Sequence, residues 1–351
     1  MGIEQPKFIS FKDNFPRLFE ILPGLIRGTY YSITAATGVG KSKLGKFLFT
    51  SFPYNYCKKH DIPLHIIYFA LEESVEKFWI SIKCDLLLER FGTTITYYQY
   101  KGYHEGMTDE IKQQLESIEP EIEEMKKYIT VVSHVSNPTG IKKTIEAQLK
   151  KLGTRTDGII EEDDYGNKIT TFNYKYHNPD THLIVVVDHL RLVSTEKNPH
   201  SDCSTEHAAL STLSEYAVKY FCAKYNIIYC AIHQQEQNVD NTDAIKLNNL
   251  QPTLSKLGVN KLIGQDYAVC FGLFNPRRYK LTENIYKDYN ISKLGNCFRE
   301  LSILKHRDGD SDLNIPLFFN GRVNFFKEMP LPNEKEKLES VYKYKEDNKL
   351  K

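Results

Sequence analysis

The segment Ala35-Ala36-Thr37-Gly38-Val39-Gly40-Lys41-Ser42 constrains this chain more than any other. It fits the phosphate-binding loop pattern, with Ala in the opening Gly position. Gly38 and Gly40 allow a turn tight enough for several backbone N–H groups to converge on one point. A helix starting there adds the positive end of its dipole. Lys41 is then placed to reach the β- and γ-phosphates, and the Ser42 hydroxyl to take a position on Mg²⁺. The flanks agree. Thr29–Thr34 is β-branched and aromatic, as a strand should be, and Leu44, Phe47 and Leu48 recur at helical spacing. The expected ligands are ATP and Mg²⁺.

The alternation of apolar strands with amphipathic helices continues down the chain. Leu64–Leu71, Tyr128–Ser133, Leu183–Val187, Ile227–Ile232, Ala268–Phe274, Leu301–Leu304 and Ile315–Phe319 read as strands. Ser74 is placed to cap one helix; Ile141, Ile145, Leu149 and Leu152 stripe another, and Leu210, Leu213, Ala217, Tyr220 and Phe221 a third. This rhythm predicts an α/β fold whose largely parallel sheet is covered on both faces. With no internal repeat or Pro/Gly linker, one domain over residues 21–330 is expected, after an N-terminal arm (1–20) and before a charged tail (331–351) that is either a peripheral helix or disordered. Two insertions break the rhythm. Residues 93–127 carry a Tyr-rich stretch and an acidic helical pattern interrupted at Pro120; residues 153–180 read as a hairpin turning at Asp164-Tyr165-Gly166-Asn167. The acidic run Glu161–Asp164 has no ligand spacing and reads as a solvated hairpin tip.

Bulk composition excludes little. Of 351 residues, acids and bases nearly cancel at +1, so any basic surface must be local. Seven Cys without a CxxC pair argue against zinc and for reduced, mostly buried thiols. An apolar signal core and a membrane-length stretch are both missing, so a cytoplasmic protein is expected (the bacterial host's cytoplasm, if phage-encoded).

Hydrolysis needs more than a phosphate loop. Leu183–Val187 ends at Asp188, as a strand does whose terminal carboxylate holds the Mg²⁺ shell. Glu72, at the end of the Leu64–Leu71 strand, is the preferred base to polarise water, with adjacent Glu73 left open. After Ile227–Ile232, Gln234 is the preferred sensor of the γ-phosphate and Gln235 its rival. His189 reads as structural. Lys305 and Arg307, two residues apart at a strand end, project to the same side and could serve an adjacent subunit as fingers on the γ-phosphate.

In this order the motifs resemble the RecA-type ATPase domain of DnaB-family replicative helicases, over about residues 20–327. The match includes Gly24-Leu25-Ile26-Arg27-Gly28, Phe69-Ala70-Leu71-Glu72, Val187-Asp188-His189-Leu190-Arg191-Leu192, Ala231-Ile232-His233-Gln234, Ser255-Lys256-Leu257 with Ile263-Gly264-Gln265-Asp266, and Leu304-Lys305-His306-Arg307-Asp308-Gly309. The resemblance implies a RecA-like P-loop NTPase core assembled as a hexameric ring, with ATP between neighbours and channel loops on single-stranded DNA. Asn238 to Gly264 is the loop so implied, with Lys256, Asn260 and Lys261 as DNA contacts. Primase or a helicase loader are the further partners it brings in.

The chain departs from the family in three ways. About twenty residues precede the match, too few for the N-terminal collar that usually binds primase. The family's basic loop residue falls on Gly258, and the insertions widen the Lys41–Asp188 separation. A compact, phage- or plasmid-type ring helicase is therefore expected. The alternative is a RecA/KaiC-like ATPase of recombination, repair or regulation without unwinding activity.

Overall fold

A nine-stranded sheet organises the molecule in the computed structural model, which describes residues 8–162, 168–198, 201–235, 250–257, 263–279, 285–311 and 313–350. In chain order its strands are β1 (Tyr30–Ala35), β2 (Leu64–Ala70), β3 (Ile129–Val132), β4 (His182–Asp188), β5 (Ile228–Gln234), β6 (Val269–Phe274), β7 (Phe298–His306), β8 (Asn314–Asn320) and β9 (Phe325–Glu328). Across the sheet they lie in the order β9-β8-β7-β6-β1-β5-β4-β2-β3. The six from β6 to β3 run parallel, while β7, β8 and β9 form an antiparallel flank. The mostly parallel α/β architecture expected from the sequence is the one found.

Period-two alternation assigns each strand residue to a face. Ile184 and Val186 of β4, and Ile228, Cys230 and Ile232 of β5, pack on one side beneath Leu44 and Leu48. Leu183, Val185 and Val187, with Tyr229 and Ala231, pack on the other beneath Ile141, Ile145, Leu210 and Leu213. Both faces are buried, so these strands read as continuous apolar runs. The covering helices are α1 (Lys41–Lys46, continued by Phe47–Ser51 and Phe52–Lys59), α2 (Val75–Phe91) and α3 (Asp109–Tyr128) on the first face, and α4 (Pro138–Leu152) and α5 (Glu206–Tyr216) on the second. The Ser74 hydroxyl caps α2 by accepting from Lys77 N at 3.2 Å.

One expectation is corrected. The helical pattern is not interrupted at Pro120: α3 runs unbroken through it. Proline removes one i→i−4 bond, a cost of about 3 kcal/mol in a helix interior. Ile118, Ile122 and Met125 are buried on one face, with Ile111 and Leu115 packed on the same core, so both halves of α3 are held. Ion pairs Arg90–Glu121 (2.6 Å) and Lys83–Glu119 (2.6 Å) tie it to α2.

The second insertion is a hairpin, Gly153–Glu162 paired antiparallel with Lys168–Tyr176. Its base is anchored by Tyr174, whose hydroxyl donates to Leu149 O at 2.8 Å, and by Tyr176, which donates to Tyr225 O at 2.9 Å. The side chains of the Glu161–Asp164 run and the turn at 164–167 lie outside the described residues. The tail forms a helix, α6 (Lys335–Asp347), with Leu338 and Leu350 buried against Tyr289 and Phe318. At the other terminus Phe11, Phe15 and Leu18 are fully buried, and Arg17 pairs with Glu328 at 3.0 Å. All seven cysteines are buried and free. No helix among the described residues is long and apolar enough to cross a membrane.

Candidate active site

Parallel strands bring their C-terminal ends to one edge of the sheet, where α/β proteins bind ligands. Ala35 of β1, Ala70 of β2, Asp188 of β4 and Gln234 of β5 all end there. The phosphate loop leaves β1 at this edge. Gly38 (φ +75°) and Gly40 (φ +112°) take left-handed conformations that side-chain-bearing residues rarely adopt. Gly40 is the N-cap of α1, so Lys41 and Ser42 open the helix.

Asp188 is 2% exposed, and both its oxygens are engaged. Ser42 Oγ donates to Oδ1 at 3.0 Å, and the Tyr68 hydroxyl donates to Oδ2 at 2.7 Å. Burial pushes the Asp188 carboxyl up to about 6, an effect that the bond from Tyr68 opposes. Burial also raises the Tyr68 phenol well above its ordinary range, so it stays a donor. A hydroxyl and a carboxylate side by side are the hard oxygen donors Mg²⁺ takes, and a bound dication would relieve the cost of burying the charged carboxylate. Ser42 and Asp188 therefore fit the ion assigned to them.

Glu72 and Glu73 part company here. Glu73 is drawn into the protein, its Oε1 2.5 Å from Lys46 Nζ on α1, with both side chains largely buried. Glu72 is 44% exposed at the mouth of the site, 3.8 Å from His189 Nε2. Together with Ser42, Asp188, Lys77 and Asn324 the two glutamates line a cavity of about 260 Å³.

His189 is 1% exposed and orients the next residue in the chain of contacts. Its Nδ1 accepts from Arg191 N at 3.1 Å, so in the neutral ring the proton sits on Nε2. Nε2 then donates to Gln234 Oε1 at 3.1 Å, which turns the Gln234 amide nitrogen toward the phosphate loop. That nitrogen donates to Thr37 Oγ1 at 2.6 Å. Burial, and after it the Lys41 ammonium, holds the imidazole below its ordinary pKa and favours the neutral form. Gln235 faces the other way. Its amide donates to Thr34 Oγ1 (2.8 Å) and Thr253 O (3.2 Å), and its backbone bridges Leu257.

The two candidate fingers are not in this site. Arg307 follows His306, which pairs with Val269, and Val269 pairs with Tyr31 on β1. From Tyr31 to Ala35 the strand rises about 13 Å at 3.3 Å per residue, with the phosphate loop farther still. Lys305 Nζ instead donates to Gly264 O (3.2 Å) and Gln265 O (2.6 Å), and Arg307 Nη2 to Asp266 O (3.3 Å). Burial and the neighbouring Arg307 lower the Lys305 pKa. Of the candidate DNA contacts, Lys256 is partly buried and donates to Gln251 O at 3.1 Å. Asn260 and Lys261 lie outside the described residues.

Several neighbours of the site were not singled out from sequence. Tyr68 is one apolar-strand residue among many. Lys46 lies one turn past Ser42, a spacing that places the two on the same helix face. Arg278 donates from Nη1 to Thr37 O, and nothing in its local sequence marks it.

No protein-family model matches the sequence, and no curated protein does. Solved structures do. The ATPase domain of the protein G40P superposes with a TM-score of 0.64 over 93% of this chain and 94% of its own, at 16% identity. A DnaB-like replicative helicase, solved in a study of its interactions with primase, matches with the same score and identity over 93% of this chain and 64% of its own. The chain thus has the RecA-like fold of DnaB-type helicase ATPase domains, and it spans less than two thirds of the second protein.

Proposed function

We propose that this chain is one subunit of an ATP-driven ring that moves on single-stranded DNA, a helicase of replicative type, with residues 21–330 as its ATPase domain. The fold likeness and the phosphate loop, Asp188, Glu72 and Gln234 gathered at one sheet edge support an ATP-hydrolysing protein. One observation carries the reading further: Lys305 and Arg307 lie at the opposite sheet edge from Lys41, each bonded to neutral carbonyls. Two half-sites at opposite edges would suit head-to-tail association, which closes into a ring when the rotation between subunits closes and otherwise gives a filament.

In this reading the loop amides and Lys41 bind the phosphates, and Ser42 and Asp188 would hold Mg²⁺. When bound, the ion neutralises charge on the phosphate oxygens. Glu72 accepts the proton of the attacking water. The Gln234 amide, aimed by His189, meets the γ-phosphate in place of Thr37. Arg307 and Lys305 of the next subunit stabilise developing charge.

Coupling to DNA has a physical route. Gln235 grips the segment at Thr253 and Leu257, next to the sensor of the chain's own site. Lys305 and Arg307 grip carbonyls of Ile263–Asp266, which follows Asn260 and Lys261. Nucleotide state at either interface can thus pull one end of the proposed DNA loop. Lys256, Asn260 and Lys261 are the phosphate contacts we assign, a small set compatible with near-zero net charge.

Gln234→Ala tests this reading. ATP affinity should stay within about threefold, while stimulation of hydrolysis by single-stranded DNA falls to under about twofold. Forked-duplex unwinding should be lost in parallel. Unwinding at the wild-type rate by this variant would remove Gln234 from the coupling. DNA-independent turnover in the wild-type protein would favour the non-unwinding RecA/KaiC-like ATPase.

A further inference from the structure

Arg299 in β7 is 1% exposed, and its guanidinium lies against the back of the phosphate loop. Nε donates to Val39 O at 2.7 Å. Nη1 donates to Phe298 O (2.7 Å) and Asn296 O (2.9 Å), and Nη2 to Asn296 Oδ1 (3.2 Å). The Phe319 ring covers the cation at 4.5 Å, and the same ring sits 3.3 Å from where a Cβ on Gly40 would project.

Every one of these partners is neutral. Glu300, the next residue, projects to the other face of β7, where it pairs with Lys287 (2.6 Å) and accepts from Gln251 (2.9 Å). Burial lowers the Arg299 pKa to about 10, with no carboxylate among the described residues to oppose it, and it remains charged at neutral pH. A buried charge without a counter-ion is costly, and an apolar residue of similar size would avoid that cost. The cation therefore needs an anion, and the loop it supports is a polyanion site.

We propose that Arg299 is a positioning residue and the buried counter-charge to the bound polyphosphate. It pins the Val39 carbonyl away from the phosphates, so that the loop's N–H groups face them, and its charge acts through the low-dielectric protein between. Lys41, 7% exposed, is the cation that opens α1; Arg299 is a second one, behind the loop. The inference rests on residues 35–42 binding a nucleotide.

The signature is dependence on ligand charge. Binding of AMP, ADP and an imido analogue of ATP, each with Mg²⁺, is measured by calorimetry on wild type, Arg299→Met and Arg299→Lys. Arg299→Met should lose roughly tenfold or more in affinity for the ATP analogue, less for ADP and under about twofold for AMP. Its nucleotide-free melting temperature should not fall, since an uncompensated charge is removed. Arg299→Lys keeps the charge and should recover most of the loss. An equal loss for all three nucleotides would reduce Arg299 to loop packing and overturn the proposal. So would wild-type affinities in Arg299→Met. If Arg299→Met does not fold, Arg299→Lys decides: affinities within about threefold of wild type support the charge role, and a uniform large loss contradicts it. A wild-type protein that binds none of the three, as Lys41→Ala should behave, refutes the nucleotide site itself.

Discussion

Arg307→Ala is expected to lower ATP turnover by about a thousandfold while leaving ATP affinity within about twofold. The reason is geometric. His306 pairs with Val269, and Val269 with Tyr31, at the end of β1 away from the phosphate loop. The guanidinium donates to Asp266 O and cannot help bind the chain's own nucleotide. Its effect should appear only where a second subunit presents it. Lys41→Ala fails for the opposite reason: its loop is defective and its finger intact. Mixing the two inactive proteins should restore activity, because interfaces pairing a good loop with a good finger reappear. For equal amounts in a closed head-to-tail ring these are about a quarter of all interfaces. Recovery of ATPase on mixing is the measurement. No recovery, or wild-type turnover from a strict monomer, would remove Arg307 from the mechanism.

Glu72→Gln should cut the single-turnover hydrolysis rate by about 10² to 10⁴-fold, the usual contribution of a positioned general base, with ATP binding intact. Glu73→Gln should behave differently. Glu73 is held 2.5 Å from Lys46, both side chains mostly buried, and Lys46 also bonds Ser81 Oγ at 3.1 Å and faces the Phe78 ring at 5.3 Å. Removing one member of a buried pair strands the other charge and costs about 3–5 kcal/mol. Glu73→Gln should therefore show a lowered melting temperature, with chemistry much less affected than in Glu72→Gln. Rapid-quench rates and thermal melts on the two variants separate the roles. An inactive Glu73→Gln protein with an unchanged melting temperature would exchange them.

Local rules made much of this legible in the sequence. The phosphate loop is a contiguous backbone device, so its glycines, its lysine and its flanking strand and helix can be read together. The buried parallel strands are continuous apolar runs, and the Leu183–Val187 run ends at a carboxylate that lies 3.0 Å from Ser42 Oγ, 146 residues away in the chain. Adjacent residues were harder. Glu72 and Glu73, or Gln234 and Gln235, project to different environments, and only the neighbouring elements tell which. Lys46 takes one glutamate; Thr34 and Thr253 take one glutamine.

The expected break at Pro120 has the same origin. Pro120 signals a helix break locally, yet buried Ile118, Ile122 and Met125 hold α3 together across it. His189 reads as structural from its position, and its partners are visible only in the fold, which puts its Nε2 between Glu72 and Gln234. Arg299 has a signal in the sequence. An Arg-Glu pair between Phe298 and Leu301 interrupts an otherwise apolar strand, and such a pair in a sheet interior demands two separate partners on two faces.

The central claim is that hydrolysis is completed by a neighbouring subunit and stimulated by DNA. The direct measurement is steady-state ATPase rate per chain, with and without single-stranded DNA, across a range of protein concentrations. The account predicts strong stimulation by DNA and a rate per chain that rises with concentration toward a plateau as interfaces fill. A rate indifferent to both would contradict it, because a site completed in trans cannot turn over at full speed in an isolated chain.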